Sequence, residues 1–256
     1  MANPTKIQLA IQGGGAKIVS LLAAAEAIQG LEERNQLKVT RFAGTSAGAI
    51  VACLLAGGVR VSDLRTRVFQ DLGAELKRAF PARGKVRSIY RVTRGKPLYH
   101  SDSLRRVLEM LFDGSGITQM KDLQRPVFIT AANILDGNKQ VYSSEKDAEK
   151  PVVSCLEDSC GLPFVFRAPK SQSIVVDGGI CENLPSDELV DGQEKFGKIV
   201  GISFTRGRAS KYPTNVLSFS RALLDTAMAN SMDRARKLIG DSAVYSIGTS
   251  IKTFDV

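Results

Sequence analysis

Apolar residues fall into two recurring patterns along this chain, and their order predicts an α/β fold. Over residues 6–11, Ile7, Leu9 and Ile11 recur at every second position, the period of a strand. Ile18, Leu21, Leu22, Ala25 and Ile28 then repeat at helical spacing. Residues 39–43 read as a second strand. The small residues from 47 to 56 are apolar on every side, the signature of a helix buried inside a domain. Residues 62–79 are predicted helical. A further helix, capped by Ser101 or Asp102, carries Leu104, Val107, Leu108, Leu111 and Phe112 on one face and stops at Gly114.

The second half continues the alternation. Residues 126–132 and 139–143 are predicted strands joined through Asp136-Gly137-Asn138, a hairpin signal. A helix over 148–160, a short strand over 174–176, a helix over 186–196 and a strand over 198–204 follow. A long helix over 215–239 and a strand over 243–247 complete the series. Strands alternating with helices predict a layered α/β domain with a largely parallel sheet. With no internal repeat and no linker, residues 1–256 are expected to form one domain.

Composition narrows the function classes. The chain is 43% hydrophobic and 24% charged, as in soluble globular proteins, and its lack of Trp disfavours a base-stacking nucleic-acid platform. The N-terminal residues lack the pattern of a signal peptide, and the longest apolar run is too short to span a bilayer. Cys53, Cys155, Cys160 and Cys181 have neither CxxC nor zinc-like spacing, which predicts unpaired thiols in a reducing, cytoplasmic setting and no metal. The formal net charge is +9, and much of the excess lies between residues 77 and 97. Arg83, Lys85, Arg87, Arg91 and Arg94 there are interleaved with apolar residues and have no acidic neighbour in the segment. A solvated loop has this composition; so does a surface that contacts anionic lipid head groups.

Three short motifs carry candidate chemistry. Gly44-Thr45-Ser46-Ala47-Gly48 matches G-x-S-x-G between a predicted strand and a predicted helix. A nucleophilic serine needs such a strained turn, and flanking glycines let the neighbouring backbone approach. Gly13-Gly14-Gly15-Ala16-Lys17 lies where the first strand meets the first helix. Helix-start N–H groups there could cradle a phosphate or hold an oxyanion. The nucleotide fingerprints fail: the P-loop pattern is absent, and the last glycine of G-x-G-x-x-G is replaced by Ile18. His100 is the single histidine, and it stands between Ser46 and Asp177 in the chain, the wrong order for an α/β-hydrolase triad. Asp177, at a strand end before Gly178-Gly179, is the best candidate base. A carboxylate ionises near pH 4 and needs burial to become effective.

Taken in order, the glycine loop, Gly44-Thr45-Ser46-Ala47-Gly48 and Asp177-Gly178-Gly179 resemble the patatin-like phospholipase family in its bacterial form. Residues 159–164, ahead of the aspartate, and Asn183 and Pro185 after it, extend the likeness to nearly the whole chain. Lys17 stands where the family more often has arginine. The resemblance implies a three-layer α/β/α fold and a histidine-free dyad, Ser46 as nucleophile and Asp177 as base. Gly13, Gly14, Gly15, Ala16 and Lys17 would form the oxyanion hole. The implied activity is hydrolysis of phospholipid or other lipid acyl esters, of phospholipase A or lysophospholipase type, without a cofactor. Peripheral contact with an anionic membrane follows, and no nucleic-acid partner is expected. Acyl transfer by the same dyad, or a non-catalytic module that binds an anion or nucleotide, are the alternatives.

Overall fold

Residues that alternate in direction along each strand supply two cores, one on either face of a central sheet. The computed structural model describes residues 3–67, 78–81, 90–169, 174–205, 212–214 and 216–249. The strands are β1 (Thr5–Ile11), β2 (Leu37–Thr45), β3 (Val127–Asn133), β4 (Lys139–Ser143), β5 (Val175–Asp177), β6 (Lys198–Phe204) and β7 (Val244–Ile247). They form one sheet in the order β4-β3-β2-β1-β6-β7, with β5 also paired to β3. β1 is parallel to β2 and β6, β2 to β3, and β6 to β7. Among the described residues only β4 and β5 run antiparallel, both against β3.

On one face, Leu9, Ile11 and Phe42 pack into a large core with the helices Ile18–Glu33, Ala47–Ala56, Ser101–Phe112 and Val152–Ser159. On the other, Ala10, Ala43 and Ile199 meet Leu184, Leu189, Met232 and Ala235, the last two from the helix Val216–Ile239. Burial on both faces is what a mostly parallel sheet covered by helices requires. Helices flank the sheet on both sides, as expected. All ten residues of Ala47–Ala56 are buried, as their unbroken apolar character predicted.

Four expectations need adjustment. Ser101 is the first residue of its helix and His100 takes the cap position, without a side-chain capping bond. The helix expected over 148–160 is shorter, Val152–Ser159, because Pro151 has no N–H to continue a helix from the preceding turn. Residues 186–196 hold two four-residue helices, Asp187–Val190 and Gln193–Phe196. Gly192 at φ 85° breaks them, a left-handed residue that no α-helix continues through. The helix expected over 62–79 is seen as Val61–Arg67, and residues 68–77 lie outside the described residues. The parallel strands bring their carboxyl ends to one edge, where the three motifs meet.

Candidate active site

Ser46 leaves β2 at its last residue, Thr45, and enters the buried helix Ala47–Ala56 at once. The turn is sharp enough to hold Ser46 at φ 53° and ψ −125°, a conformation that side chains rarely adopt. The flanking glycines are sterically required. A Cβ at Gly44 would fall 2.5 Å from the Ala49 Cα, and one at Gly48 would fall 2.3 Å from the Ile11 carbonyl oxygen. The Ser46 N–H donates to Ser159 Oγ at 2.8 Å, and Ser159 Oγ donates in turn to the Thr130 carbonyl at 2.6 Å. One buried hydroxyl thus ties the elbow to β3.

The register of β3 explains how Asp177 arrives beside Ser46. Along one edge of β3, Thr130 pairs with Thr45, the last residue of β2. The next residue, Ala131, pairs with Asp177 of β5. β5 therefore takes over the edge where β2 turns away, and Asp177 lands next to the elbow. Gly178 passes close to β3: a Cβ there would be 2.2 Å from the Thr130 carbonyl oxygen.

Asp177 is 1% exposed. Its Oδ1 accepts the Gly179 N–H at 2.8 Å, whereas Oδ2 is buried with no fully formed hydrogen bond among the described residues. Burial raises the carboxyl to about 6, and the nearby Ser46 hydroxyl and the Gly179 N–H offset only part of that rise. The Cys160 thiol borders the same pair: burial and the Asp177 charge raise it, while the Ser46 hydroxyl pulls the other way.

The glycine loop lies against the elbow. A Cβ on Gly13 would sit 3.4 Å from the Ser46 Cβ and 2.7 Å from Asn183 Oδ1. The Gly13 N–H is already engaged, donating to the Asn183 carbonyl at 2.9 Å, and the Lys17 N–H donates to the Gly14 carbonyl at 3.1 Å. Among the described residues no hydrogen bond takes up the N–H groups of Gly14 or Gly15. Ala16 lies in the single 3-10 turn Gly15–Lys17 that leads into the first helix. The Lys17 ammonium sits 4.7 Å from the Phe204 ring centroid; burial lowers its pKa and Asp225 opposes that shift. A cleft of about 440 Å³ opens beside the loop, lined by Lys17, Asn183, Phe204, Asp225 and Met228 among others.

The sequence model of the patatin-like phospholipase family matches residues 9–190, a stretch that includes the glycine loop, Ser46 and Asp177. The chain belongs to that family. Membership supports hydrolysis of lipid acyl esters as its general activity. A relative from Bacillus subtilis (strain 168), the uncharacterized protein YqhO, is 27% identical over 232 residues, covering 84% of this chain and 77% of its own. The crystal structure of VipD from Legionella pneumophila is similar in fold, with a TM-score of 0.51 at 17% identity over 100% of this chain and 63% of that one. A chain from the structure of full-length SpcU in complex with full-length ExoU, from Pseudomonas aeruginosa, gives a TM-score of 0.45 at 17% identity, covering 94% of this chain and 53% of that one. This patatin-like chain thus spans less than two thirds of either solved chain.

Other sequence candidates fall elsewhere in this patatin-like fold. His100 is exposed, and no hydrogen bond joins its ring to Ser46 or Asp177. Arg83, Lys85 and Arg87 lie outside the described residues. Arg91 Nε folds back to donate to the Pro97 carbonyl at 2.9 Å, and the Arg94 guanidinium stacks 5.0 Å from the Tyr90 ring centroid. Two residues that the sequence reading used only for the family likeness stand at the site: Ser159, which holds the elbow amide, and Asn183, which bridges the glycine loop and the Asp177 turn. Both stand in segments that resemble the family, but no spacing rule pairs position 159 with 46 or 183 with 13.

Proposed function

We propose that residues 1–256 form a single-domain serine lipid acyl hydrolase, of phospholipase A or lysophospholipase type, that works through Ser46 and Asp177. Asp177 Oδ2 takes the Ser46 Oγ proton as Oγ attacks the ester carbonyl carbon. The tetrahedral oxyanion accepts the N–H groups of Gly14 and Gly15, which with that of Ala16 are the loop donors that no hydrogen bond takes up among the described residues. Collapse breaks the bond to the alcohol, which leaves with the proton from Asp177. Water then gives its proton to Asp177 and attacks the acyl-Ser46 ester; fatty acid departs and Ser46 recovers its proton.

The observation that supports this reading best is the state of Asp177: buried beside the Ser46 hydroxyl, raised to about 6, with no fully formed hydrogen bond to Oδ2 among the described residues. A carboxylate at its ordinary value is a feeble base at neutral pH, and a raised one is better matched to proton transfer while still mostly ionised at pH 7. No histidine has to be supplied. Substituting Ser46→Ala and, separately, Asp177→Asn tests the assignment through fatty-acid release from mixed phospholipids and labelling by a fluorophosphonate. Both variants should lose turnover, and the Ser46→Ala protein should no longer label. Full activity in either one refutes the dyad.

A further inference from the structure

Soluble proteins rarely gather large apolar side chains at one exposed place unless something else covers them. Here six stand on segments that reach one edge of the sheet: Val19, Ile134, Leu135, Ile174, Phe219 and Leu223 are all exposed, Leu135 by 78% and Ile134 by 61%. Chain topology puts them there. β1, β2, β3 and β6 are parallel, so the glycine loop, Ser46 and the turn after β3 share the edge formed by their carboxyl ends. Val19 lies in the first turn of the helix Ile18–Glu33, after the glycine loop. Ile134 and Leu135 follow β3, and the Ile174 carbonyl, just before β5, accepts the Ile134 N–H at 2.9 Å. The helix Val216–Ile239 runs from this edge back towards the start of β7.

Two rulers give the height of the apolar rim above the reacting groups. Ile174 precedes Asp177 by three extended residues, roughly 10 Å. On the long helix, Met228 lies at the level of the Asp177 turn, with its Cε 3.0 Å from where a Gly179 Cβ would be. Leu223 and Phe219 stand five and nine residues before Met228, about 7 and 13 Å further out. Both rulers set the rim about 10 Å beyond the dyad.

The turn after β3 is built to hold its side chains outward. Asn133 Oδ1 accepts the Leu135 N–H at 3.0 Å, Asp136 Oδ1 accepts the Asn138 N–H at 2.9 Å, and the Asn133 carbonyl accepts the Gly137 N–H at 3.1 Å. With the Ile134 N–H held by the Ile174 carbonyl, four N–H groups of the turn are thus engaged, which lowers the cost of bringing it to an interface poor in water.

We propose that this edge docks on the surface of a phospholipid bilayer, with Ile134 and Leu135 inserted at the head-group boundary; the inference rests on the lipid-ester reading above. Ile134, Leu135 and Ile174 together offer on the order of 300 Å² of apolar surface, and all six roughly twice that. A stable protein interface needs about 800 Å² on each partner in one complementary patch. An apolar rim of this smaller size suits a fluid surface instead, and the net charge of +9 draws the protein to anionic lipid. Interfacial insertion of about 5–10 Å would bring the dyad close to the ester layer.

The chain contains no Trp, so Leu135→Trp supplies a lone reporter. In a Ser46→Ala background, mixing with phosphatidylcholine–phosphatidylglycerol vesicles should shift its emission to the blue, and brominated acyl chains should quench it. The double variant Ile134→Ser, Leu135→Ser should lose vesicle partitioning and hydrolysis of vesicle substrate by about tenfold or more. Its kcat/KM on a dissolved short-chain ester should be unchanged. An unshifted, unquenched tryptophan together with undiminished partitioning of the serine variant overturns the proposal. So does an equal loss on the dissolved ester, or self-association that the serine variant abolishes without any vesicle binding. If the introduced tryptophan enters vesicles while the wild type cleaves no ester, the docking stands and the hydrolase reading falls.

Discussion

Replacing Asp177 by Asn should make the protein inactive and more stable at once, in a pH-dependent way. Burial raises the Asp177 carboxyl from 3.8 to about 6 in the folded state. Such a group holds its proton more tightly when folded. The stability it contributes is therefore full below the unfolded value near 3.8 and is lost as pH climbs through about 6. Above that range, keeping the ionised carboxylate in the fold costs about 3 kcal/mol. Asn carries no charge, and its Oδ1 can still accept the Gly179 N–H. The two proteins should thus unfold with similar free energies near pH 4, diverge between pH 4 and 6 and keep the full gap above pH 6, the variant gaining at most about 3 kcal/mol, or roughly 6–12 °C in Tm. Paired urea and thermal unfolding at the two pH values reads the gap directly, since other carboxylates titrate alike in both proteins and cancel. Equal stabilities at pH 8 would refute the argument, because they mean that the ionised carboxylate is not held under strain.

Several shorter tests share this geometry. The pH profile of wild-type kcat/KM on a dissolved ester should fall on the acid side with an apparent pKa near 6, as the base takes up its proton. Ser46→Gly should raise stability by about 1 kcal/mol in urea unfolding while abolishing turnover, because glycine accepts a positive φ without strain. Ser159→Ala leaves the Ser46 N–H and the Thr130 carbonyl unpaired and should cost about 1–3 kcal/mol of stability. It should lower kcat more than it changes KM, because the elbow shifts while the cleft does not. Gly48→Ala places a methyl 2.3 Å from the Ile11 carbonyl oxygen and should destabilise by about 3 kcal/mol or fail to fold, as judged by soluble yield and Tm.

Much of this architecture was legible in residue spacing, and the exceptions have identifiable causes. The helix Ala47–Ala56 and the face Leu104, Val107, Leu108, Leu111 and Phe112 follow from periodicity, because burial alone decides them. The expected helix over 186–196 failed at Gly192, whose left-handed conformation is set by neighbouring structure rather than by the apolar pattern. The motifs nominated Ser46, Asp177 and the glycine loop. They could not say which loop N–H groups were already engaged, since that depends on the Asn183 carbonyl reaching Gly13 from 170 residues away. Nor could spacing reveal that Ser159 holds the elbow, a long-range contact made by one hydroxyl. The exposure of Ile134 and Leu135 was equally hidden: a hairpin signal locates a turn but not what its side chains face.

The proposed dyad, without histidine, has to solve by architecture what a triad solves with an orienting third group. Here β3 does that work. Thr130 pairs with the end of β2 and Ala131 with Asp177, so one step along a strand fixes the spacing between elbow and carboxylate. Ser159 reinforces the junction: its Oγ binds the Ser46 N–H and the Thr130 carbonyl, and its own carbonyl accepts the Gly178 N–H at 3.4 Å. The Gly179 N–H holds Oδ1, which leaves Oδ2 as the oxygen that can take a proton. The strained serine and the buried carboxylate each destabilise the fold locally, and they persist because a sheet covered on both faces holds them in place. On this reasoning the β3 register aligns the proposed base with the elbow without help from an imidazole.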